Sequence, residues 1–333
     1  PDPDPDPDPD PDPEPTPKPT REITPEVVAA IGLHEAAIEQ TRSLVHNVRF
    51  KVEAQREFCP SCGVYDWGWD YRKLNNFWVL AQGDDANIDK HVEMEAKIRG
   101  VEAGMDFQGD FHNTLGLFAS YRQGEYELTG KGDKYSSKIG SDIDIDSYIA
   151  GLYYRYDRNR NWAFASVYAG IQEAEVATRD NIAKFKTDGT EFGASLELGH
   201  VIALTRTLTL DPSVGVYYTQ IDFDEAKDNV GKQYTWEEIQ HLEAELGAKL
   251  EQQFSDAKVY IKPSVIQTFT KNDSVLITGL PEIDTYKDQT LGRIEAGLRL
   301  GITHALSGYA WGNYTFGSDY DAVSLGAGLN YAW

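Results

Sequence analysis

The two cysteines of the chain lie in Cys59-Pro-Ser-Cys62, a spacing that could support several kinds of chemistry. Such a pair can supply half of a zinc site, act in a thioredoxin-like redox centre, or close a local disulfide. A zinc site needs two more ligands of similar type, and no second CxxC pair exists. A redox role needs a βαβ context, which is missing here. The pattern predicts a Cys59–Cys62 disulfide in an oxidising compartment, and no metal.

Other candidate groups are less organised. The seven histidines have no metal spacing, and no HExxH, glycine-rich phosphate loop or Ser/His/Asp arrangement occurs. Asp84-Asp85 could supply paired carboxylates, although a solvated loop is the simpler interpretation. The acidic stretch 141–146 alternates instead of following an EF-hand loop, so a solvated strand end is expected there. We predict that the protein is not an enzyme and binds no cofactor.

Charge and hydropathy limit the class of protein. The 333 residues carry a formal net charge of -23, which argues against a nucleic-acid partner because such binding needs a basic patch. Mean hydropathy is -0.49, and no stretch approaches the ~20 apolar residues that a membrane-spanning helix requires. A membrane β-barrel stays possible because its strands are apolar on one face only. The chain begins at Pro1 without a signal peptide, so a fragment or a processed chain is expected.

The last twelve residues, 322–333, alternate between an apolar and a small or polar face, which predicts a strand. Its apolar face includes Leu329, Tyr331 and Trp333. In a membrane barrel this face contacts lipid, and aromatic side chains lie at the interface. Eleven similar segments precede it. The twelve lie near residues 76–83, 92–108, 113–126, 143–156, 162–175, 190–203, 208–222, 235–253, 257–270, 287–303, 308–317 and 322–333.

The opposite faces of three of these segments carry many charges. Unpaired charges would be costly in a soluble core, but they can pair with one another and with water around a lumen. The predicted lumen residues are Glu197, Glu243, Glu245, Lys249, Arg293, Glu295 and Arg299. Short connections alternate with long polar ones, and twelve is an even number, as expected for an outer-membrane barrel. The fold class is therefore a 12-stranded antiparallel transmembrane β-barrel, with a lumen that could hold one helix ~10 Å across.

The N-terminal part has no strand pattern. Proline at every second position of residues 1–22, with alternating carboxylates, predicts an extended linker. A helix is predicted from Thr24 to about Val52, with Pro25 in its first turn. Two interpretations stay open: an amphipathic helix on a soluble core, or a helix that crosses the barrel lumen. The residues assigned to the pore helix are Ile31, Ile38, Arg42, Val45 and Arg49.

The order of helix, twelve strands and terminal aromatic residue resembles the translocator (β-domain) of autotransporters, the type Va secretion family. Local similarities are residues 76–83 in the first strand, 100–106 in the second and 208–218 in the seventh, together with the closing strand. The resemblance covers about 23–333. It divides the chain into a linker (1–22), a pore-spanning helix (23–58), a connector with the CxxC pair (59–75) and the barrel (76–333). Self-cleaving members have an Asn-Asn pair in the pore helix, whereas this helix has only Asn47, so we predict no cleavage.

The resemblance implies an outer-membrane translocator that exports an N-terminal passenger and anchors it at the cell surface. It implies as partners the passenger, outer-membrane lipid and lipopolysaccharide, periplasmic chaperones, and the barrel-assembly machinery, for which Leu329, Tyr331 and Trp333 would form the C-terminal signal. A monomer is expected. The alternatives are an outer-membrane channel or porin, which would need neither helix nor linker, and an omptin-type outer-membrane protease. That protease would need an Asp-His doublet, and the chain has none.

Overall fold

The computed structural model describes most of the chain. The described residues are 24–42, 44–54, 57–59, 64–66, 75–90, 92–110, 112–130, 140–179, 182–271, 274–280, 282–284, 288–303 and 305–333. The predicted linker over residues 1–22 lies outside these ranges. The predicted disulfide also lies outside them, because Cys62 is not described.

Two helical segments, α1 (Pro25–Arg42) and α2 (Leu44–Ala54), follow the linker. Helix α1 starts where the sequence predicts, with Pro25 at its first position, Glu26 in its first turn and a bond from the Val28 amide to the Thr24 carbonyl (3.1 Å). Helix α2 ends at Ala54, and Glu57–Cys59 pairs with Val64–Asp66 as a short antiparallel hairpin. These bounds agree with the helix predicted from Thr24 to about Val52, and the predicted pore-spanning segment 23–58 also includes Glu57 and Phe58 of the hairpin. No helix in the described ranges is long and apolar enough to cross a membrane.

Twelve long strands make up most of the described chain. They are β1 (Asn75–Asp89), β2 (Val92–Asp110), β3 (Asn113–Gly130), β4 (Gly140–Arg158), β5 (Asn161–Thr178), β6 (Lys184–His200), β7 (Leu208–Phe223), β8 (Ile239–Gln253), β9 (Ala257–Lys271), β10 (Thr290–Gly301), β11 (Leu306–Phe316) and β12 (Tyr320–Ala332).

Each strand pairs antiparallel with its sequence neighbour, and β12 pairs with β1 from Tyr320↔Ile88 to Ala332↔Asn76. This last pairing closes the sheet and removes its two edges. The prediction of a closed 12-stranded antiparallel barrel with a helix in its lumen is confirmed. Both chain ends of the barrel lie at the end with the short turns; the opposite end carries the longer connections and is called here the long-loop end.

The alternation of side chains follows the predicted direction through the middle of the strands. In β8, Leu246 is 66% exposed on the outer surface, whereas its neighbour Glu245 is 3% exposed inside. Apolar side chains thus point outward and charged ones inward, as a barrel with a lipid-facing surface requires.

Near the long-loop end this polarity reverses. In β3, Glu125 and Glu127 are exposed on the outside, while Tyr126 and Leu128 are buried inside. We call the buried inner residues of this region the apolar collar; it consists of Ala86, Ile88, Met94, Ala96, Ile98, Tyr126, Leu128, Ile143, Ile145, Ala174 and Val176. The reversal indicates that these strand ends project beyond the lipid into water. Strands β1 and β3 are longer than predicted because they continue through this region, to Asp89 and Gly130.

Two of the long connections form a small four-stranded sheet at the same end. This cap sheet consists of Ala226–Lys227, Gln233–Trp236, Ser274–Ile277 and Ile283–Asp284. The predicted eighth segment began at residue 235, which lies in the cap sheet and not in the barrel strand. Trp236 belongs to the cap sheet and is 4% exposed, and β8 begins only at Ile239.

Candidate functional site

Helices α1 and α2 occupy the lumen, and every residue from Val27 to Thr41 is buried. Ile31, Ile38 and Val45 of the predicted pore helix recur every seven residues, a spacing that would place them on one apolar stripe. Ile31 and Ile38 are 7% and 2% exposed, and the side chain of Val45 lies outside the described part of the chain. Because the wall encloses the helix, burial extends around its whole circumference instead of along one stripe.

The apolar half of the helix packs inside the apolar collar. Val28, Leu33 and Ala37 of α1 belong to the same buried cluster as Leu128 and Ile143 of the wall. The charged half, from Arg42 to Lys51, lies where the wall is charged. The division of the helix into an apolar and a charged half thus matches the polarity change of the wall.

The cap sheet and the turn at Lys232, between its first two strands, contact the beginning of the helix. The Trp236 indole nitrogen donates to the Ala30 carbonyl (3.1 Å), and Lys232 Nζ donates to Glu26 Oε1 (2.9 Å). Burial alone would raise the pKa of Glu26, but the hydrogen bond from Lys232 and the positive charge of its ammonium help to outweigh this effect, and the pKa is lowered. The carboxylate therefore stays ionised at neutral pH. Its contribution to the stability of the folded state is lost only as the pH falls through the lowered pKa.

Arg42 is bound to the wall near the boundary between the two halves. Its Nε donates to Glu243 Oε1 (2.7 Å), and its guanidinium also contacts Glu39. The guanidinium carbon lies 4.9 Å from the centre of the Tyr320 ring, whose hydroxyl donates to Glu39 (2.9 Å). Of the predicted site residues, this brings together Arg42 and Glu243.

Arg49 makes the second set of ion pairs. Its Nη1 lies 2.8 Å from both carboxylate oxygens of Glu197, and its Nη2 lies 3.7 Å from Glu295 Oε2. All three side chains are nearly inaccessible to solvent. Hydrogen bonds between ionised groups are stronger than neutral ones, and the enclosed lumen screens them little.

Glu245 and Arg293 face the same space. Lys262 Nζ lies 3.0 Å from Glu245 Oε1 and 3.2 Å from Glu197 Oε1, while Arg293 Nη1 lies 3.5 Å from Glu245 Oε2. Arg293 also contacts His46 of the helix (3.1 Å). The wall charges therefore form a connected network of ion pairs around the charged half of the helix.

Lys249 and Arg299, also predicted for the lumen, lie farther toward the short-turn end. Lys249 Nζ is 3.4 Å from Glu251 Oε2. Lys249 and Arg299 both line a small recess beside Phe50. Phe50 packs in turn against the rings of Tyr260, at 5.7 Å between centres, and Tyr309, at 5.8 Å.

Two wall acids that contact the helix are absent from the residues predicted for the lumen. Asn47 Nδ2 donates to Glu102 Oε1 (3.0 Å), and Lys51 Nζ contacts Asp106. The signal was available, because both acids lie in the predicted second strand four residues apart and therefore on one face. The outward apolar residues that flank this pair, Val101 and Phe107, identify the face of the two acids as the inner one.

The Asp84-Asp85 pair does not form a joint acid–base site. Asp84 points inward and pairs with Arg122 (3.0 Å), whereas Asp85 is exposed on the outer surface. Successive strand residues face opposite sides of the sheet, so the two carboxylates are separated by the wall. In the described ranges, no group of three or more His, Cys, Asp or Glu side chains could hold a metal ion.

The predicted C-terminal signal lies on the outer surface at the short-turn end. Leu329, Tyr331 and Trp333 are about half exposed, and the rings of Tyr331 and Trp333 stack at 6.4 Å between centres. The Trp333 amide donates to the Asn75 carbonyl (3.1 Å), so the seam between the first and last strands is paired to the final residue.

Comparisons with known proteins agree with this geometry. A family model described as the autotransporter beta-domain matches residues 77–315, which is more than half of the chain. No curated protein matches the chain significantly.

Solved structures share the fold at low sequence identity. The translocator domain of NalP from Neisseria meningitidis is 14% identical, with a TM-score of 0.69 over 92% of this chain and 99% of that one. The transport unit of AIDA-I from Escherichia coli is 16% identical, with a TM-score of 0.61 over 80% and 93%. The beta domain of the Bordetella autotransporter BrkA is 14% identical, with a TM-score of 0.62 over 78% and 100%.

Proposed function

The chain belongs to the autotransporter β-domain family, and from that premise we propose that residues 25–54 form the plug of an outer-membrane translocator. The barrel exports an N-terminal passenger and anchors it in the outer membrane, with the long-loop end facing outward. The plug is the last part of the exported chain to enter the lumen and stays there. The observation that carries this proposal is the pairing of Arg42 and Arg49 with wall carboxylates from β6, β8 and β10.

The sequence-based assignments of segments and partners are part of the same proposal. Residues 1–22 would form the linker at the cell surface, and residues 59–75 a connector on the periplasmic side. Outer-membrane lipid and lipopolysaccharide would surround the barrel, and periplasmic chaperones would accompany it before insertion. The barrel-assembly machinery would recognise Leu329, Tyr331 and Trp333. The domain would act in transport as a monomer, without catalysis or a cofactor.

A reporter protein fused in front of Pro1 tests the proposed export. With a secretion signal at its N-terminus, we expect the reporter to be accessible to antibody and to added protease on intact cells. The same reporter without residues 1–333 should stay in the periplasm, which controls for leakage. A reporter that remains inside cells whose barrel is folded, judged by heat-modifiable migration, would contradict the proposed function.

We also expect the exported reporter to remain covalently attached. Asn47 is the only asparagine of residues 24–54, and Val48 follows it, so the Asn-Asn pair of self-cleaving members is absent. The side-chain amide of Asn47 donates a hydrogen bond to Glu102 of the wall, so this amide is already held in a contact with the barrel. Mass spectrometry of outer-membrane fractions should find reporter and barrel in one chain. A reporter in the medium, together with a new N-terminus inside the helix, would show that processing occurs.

A further inference from the structure

The side chain of Gln40 is inserted into the barrel wall. Its Nε2 donates to the carbonyl oxygens of Arg122 (3.1 Å) and Ile145 (3.2 Å), which belong to the neighbouring strands β3 and β4. Its Oε1 accepts a hydrogen bond from the Tyr126 hydroxyl (2.6 Å). Gln40 is fully buried, and these three bonds use both amide protons and the oxygen.

Gly124 creates the space for this side chain. It faces the lumen on β3, and a Cβ atom at this position would overlap Gln40 Oε1 and the ring of Tyr126. Any other residue would therefore displace the amide from the two carbonyls. We call the site formed by Gly124, Tyr126 and the carbonyls of Arg122 and Ile145 the Gln40 seat.

A second close approach lies farther toward the long-loop end. Gly32 of α1 faces Leu128 of β3, and a Cβ on Gly32 would overlap the Leu128 side chain. Gly32 and Gln40 are about 12 Å apart along the helix, and Leu128 and Gly124 are about 13 Å apart along the strand. The helix and β3 thus match at two points of similar spacing.

We propose that the Gln40 seat stops the outgoing chain at one axial position in the lumen. This inference rests on the proposed function. A shift by one helical turn, about 5.4 Å, would bring Ala36 or Leu44 to the seat, and neither can bond the two carbonyls. It would also place the Leu128 side chain opposite a residue larger than glycine, because Gly32 is the only glycine of residues 24–54.

The linker has properties that let it pass. Residues 1–22 contain only Pro, Asp, Glu, Thr, Lys and Arg, so no amide side chain in the linker can occupy the seat. Its carboxylates would also meet the acidic inner wall at Glu197 and Glu243, where like charges repel. Within residues 1–54, the first segment that fits the seat and the wall charges together is the helix itself.

Photo-cross-linking can measure the axial position. The Tyr320 ring lies beside Glu39 and Arg42, so p-benzoylphenylalanine at position 320 replaces one aromatic side chain by another. In the full chain carrying the reporter, we expect cross-links to concentrate on residues 39–42. Gln40→Ala and, separately, Gly124→Val should lower that yield about five- to tenfold and produce cross-links one turn away, because buried hydrogen bonds set the balance between positions.

The matched control is Thr41→Ala. Thr41 is the neighbour of Gln40, and its hydroxyl donates to the Ile38 carbonyl of its own helix (3.2 Å), so its cross-links should stay on residues 39–42. If Gly124→Val prevents folding, Gln40→Ala decides, because it leaves the wall unchanged. If Gln40→Ala gives an undiminished yield of cross-links on residues 39–42, the proposal that the Gln40 seat stops the chain is wrong. Absence of the reporter from the surface of the unaltered chain would instead reject the proposed function.

Discussion

Removing residues 1–54 should leave a barrel that conducts ions several-fold more strongly in a planar bilayer and unfolds at a lower temperature. The deletion empties a lumen that now holds one helix about 10 Å across. It also takes Arg42 and Arg49 away from Glu243 and Glu197, which leaves buried carboxylates without these cations. Both effects follow from the same contacts, so they should appear together.

One control separates the plug from the rest of the N-terminal part. Deletion of residues 1–22 alone should change neither conductance nor melting temperature, because the described helix begins only at Pro25. Single-channel recordings and heat-modifiability curves measure the two properties. Equal conductance with and without residues 25–54 would mean that the helix does not obstruct the pore of the protein in a membrane.

Replacing Arg42 and Arg49 by Glu should act in the same direction as the deletion, with a smaller gain in conductance. Arg49→Glu places a carboxylate against Glu197, and breaking a buried pair costs about 3–5 kcal/mol. Since each kcal/mol shifts the melting temperature of a large domain by roughly 2–4 °C, loss of this one pair should lower the melting temperature by roughly 6–20 °C. Arg49→Lys keeps the positive charge and should lower the melting temperature less than Arg49→Glu. A double variant as stable as the parent would show that the pairs are energetically silent.

Deleting Trp333 should remove most of the folded barrel from outer membranes. The Trp333 amide completes the seam by bonding the Asn75 carbonyl, and its ring stacks on Tyr331 at the membrane interface. A last strand that does not pair fully leaves polar backbone groups in an apolar environment, which costs several kcal/mol per group. If the assembly machinery recognises this residue, as proposed, the loss is larger still.

The amount of heat-modifiable barrel in outer-membrane fractions measures this effect. Trp333→Phe keeps an aromatic ring and the backbone bond, so it should assemble close to normally. Trp311→Phe is a second control, since this tryptophan is buried in the lumen beside Phe50 and takes no part in the seam. Normal barrel levels after deletion of Trp333 would show that the terminal residue is dispensable.

The sequence by itself determined the architecture. Lipid on one side and a charged lumen on the other impose a period of two on each strand, so segments such as 322–333 could be recognised locally. The same rule predicts that Glu197, Glu243 and Glu245 face the lumen, and in the structure their side chains are buried. It also carried enough information to find Glu102 and Asp106, and to find the polarity reversal at Glu125–Leu128, which marks where water replaces lipid on the outer surface.

The tertiary structure alone decided which groups meet. Arg49 and Glu197 are 148 residues apart, and Arg42 and Glu243 are 201 apart; the pairing depends on strand tilt, register and the rotation of the helix. The cap sheet, assembled from two separate loops, could not be recognised from the alternation of one segment. The Gln40 seat depends on a glycine and two carbonyl groups of adjacent strands. Such sites exist only after the barrel closes, because closure brings distant backbone and side-chain groups into one enclosed space.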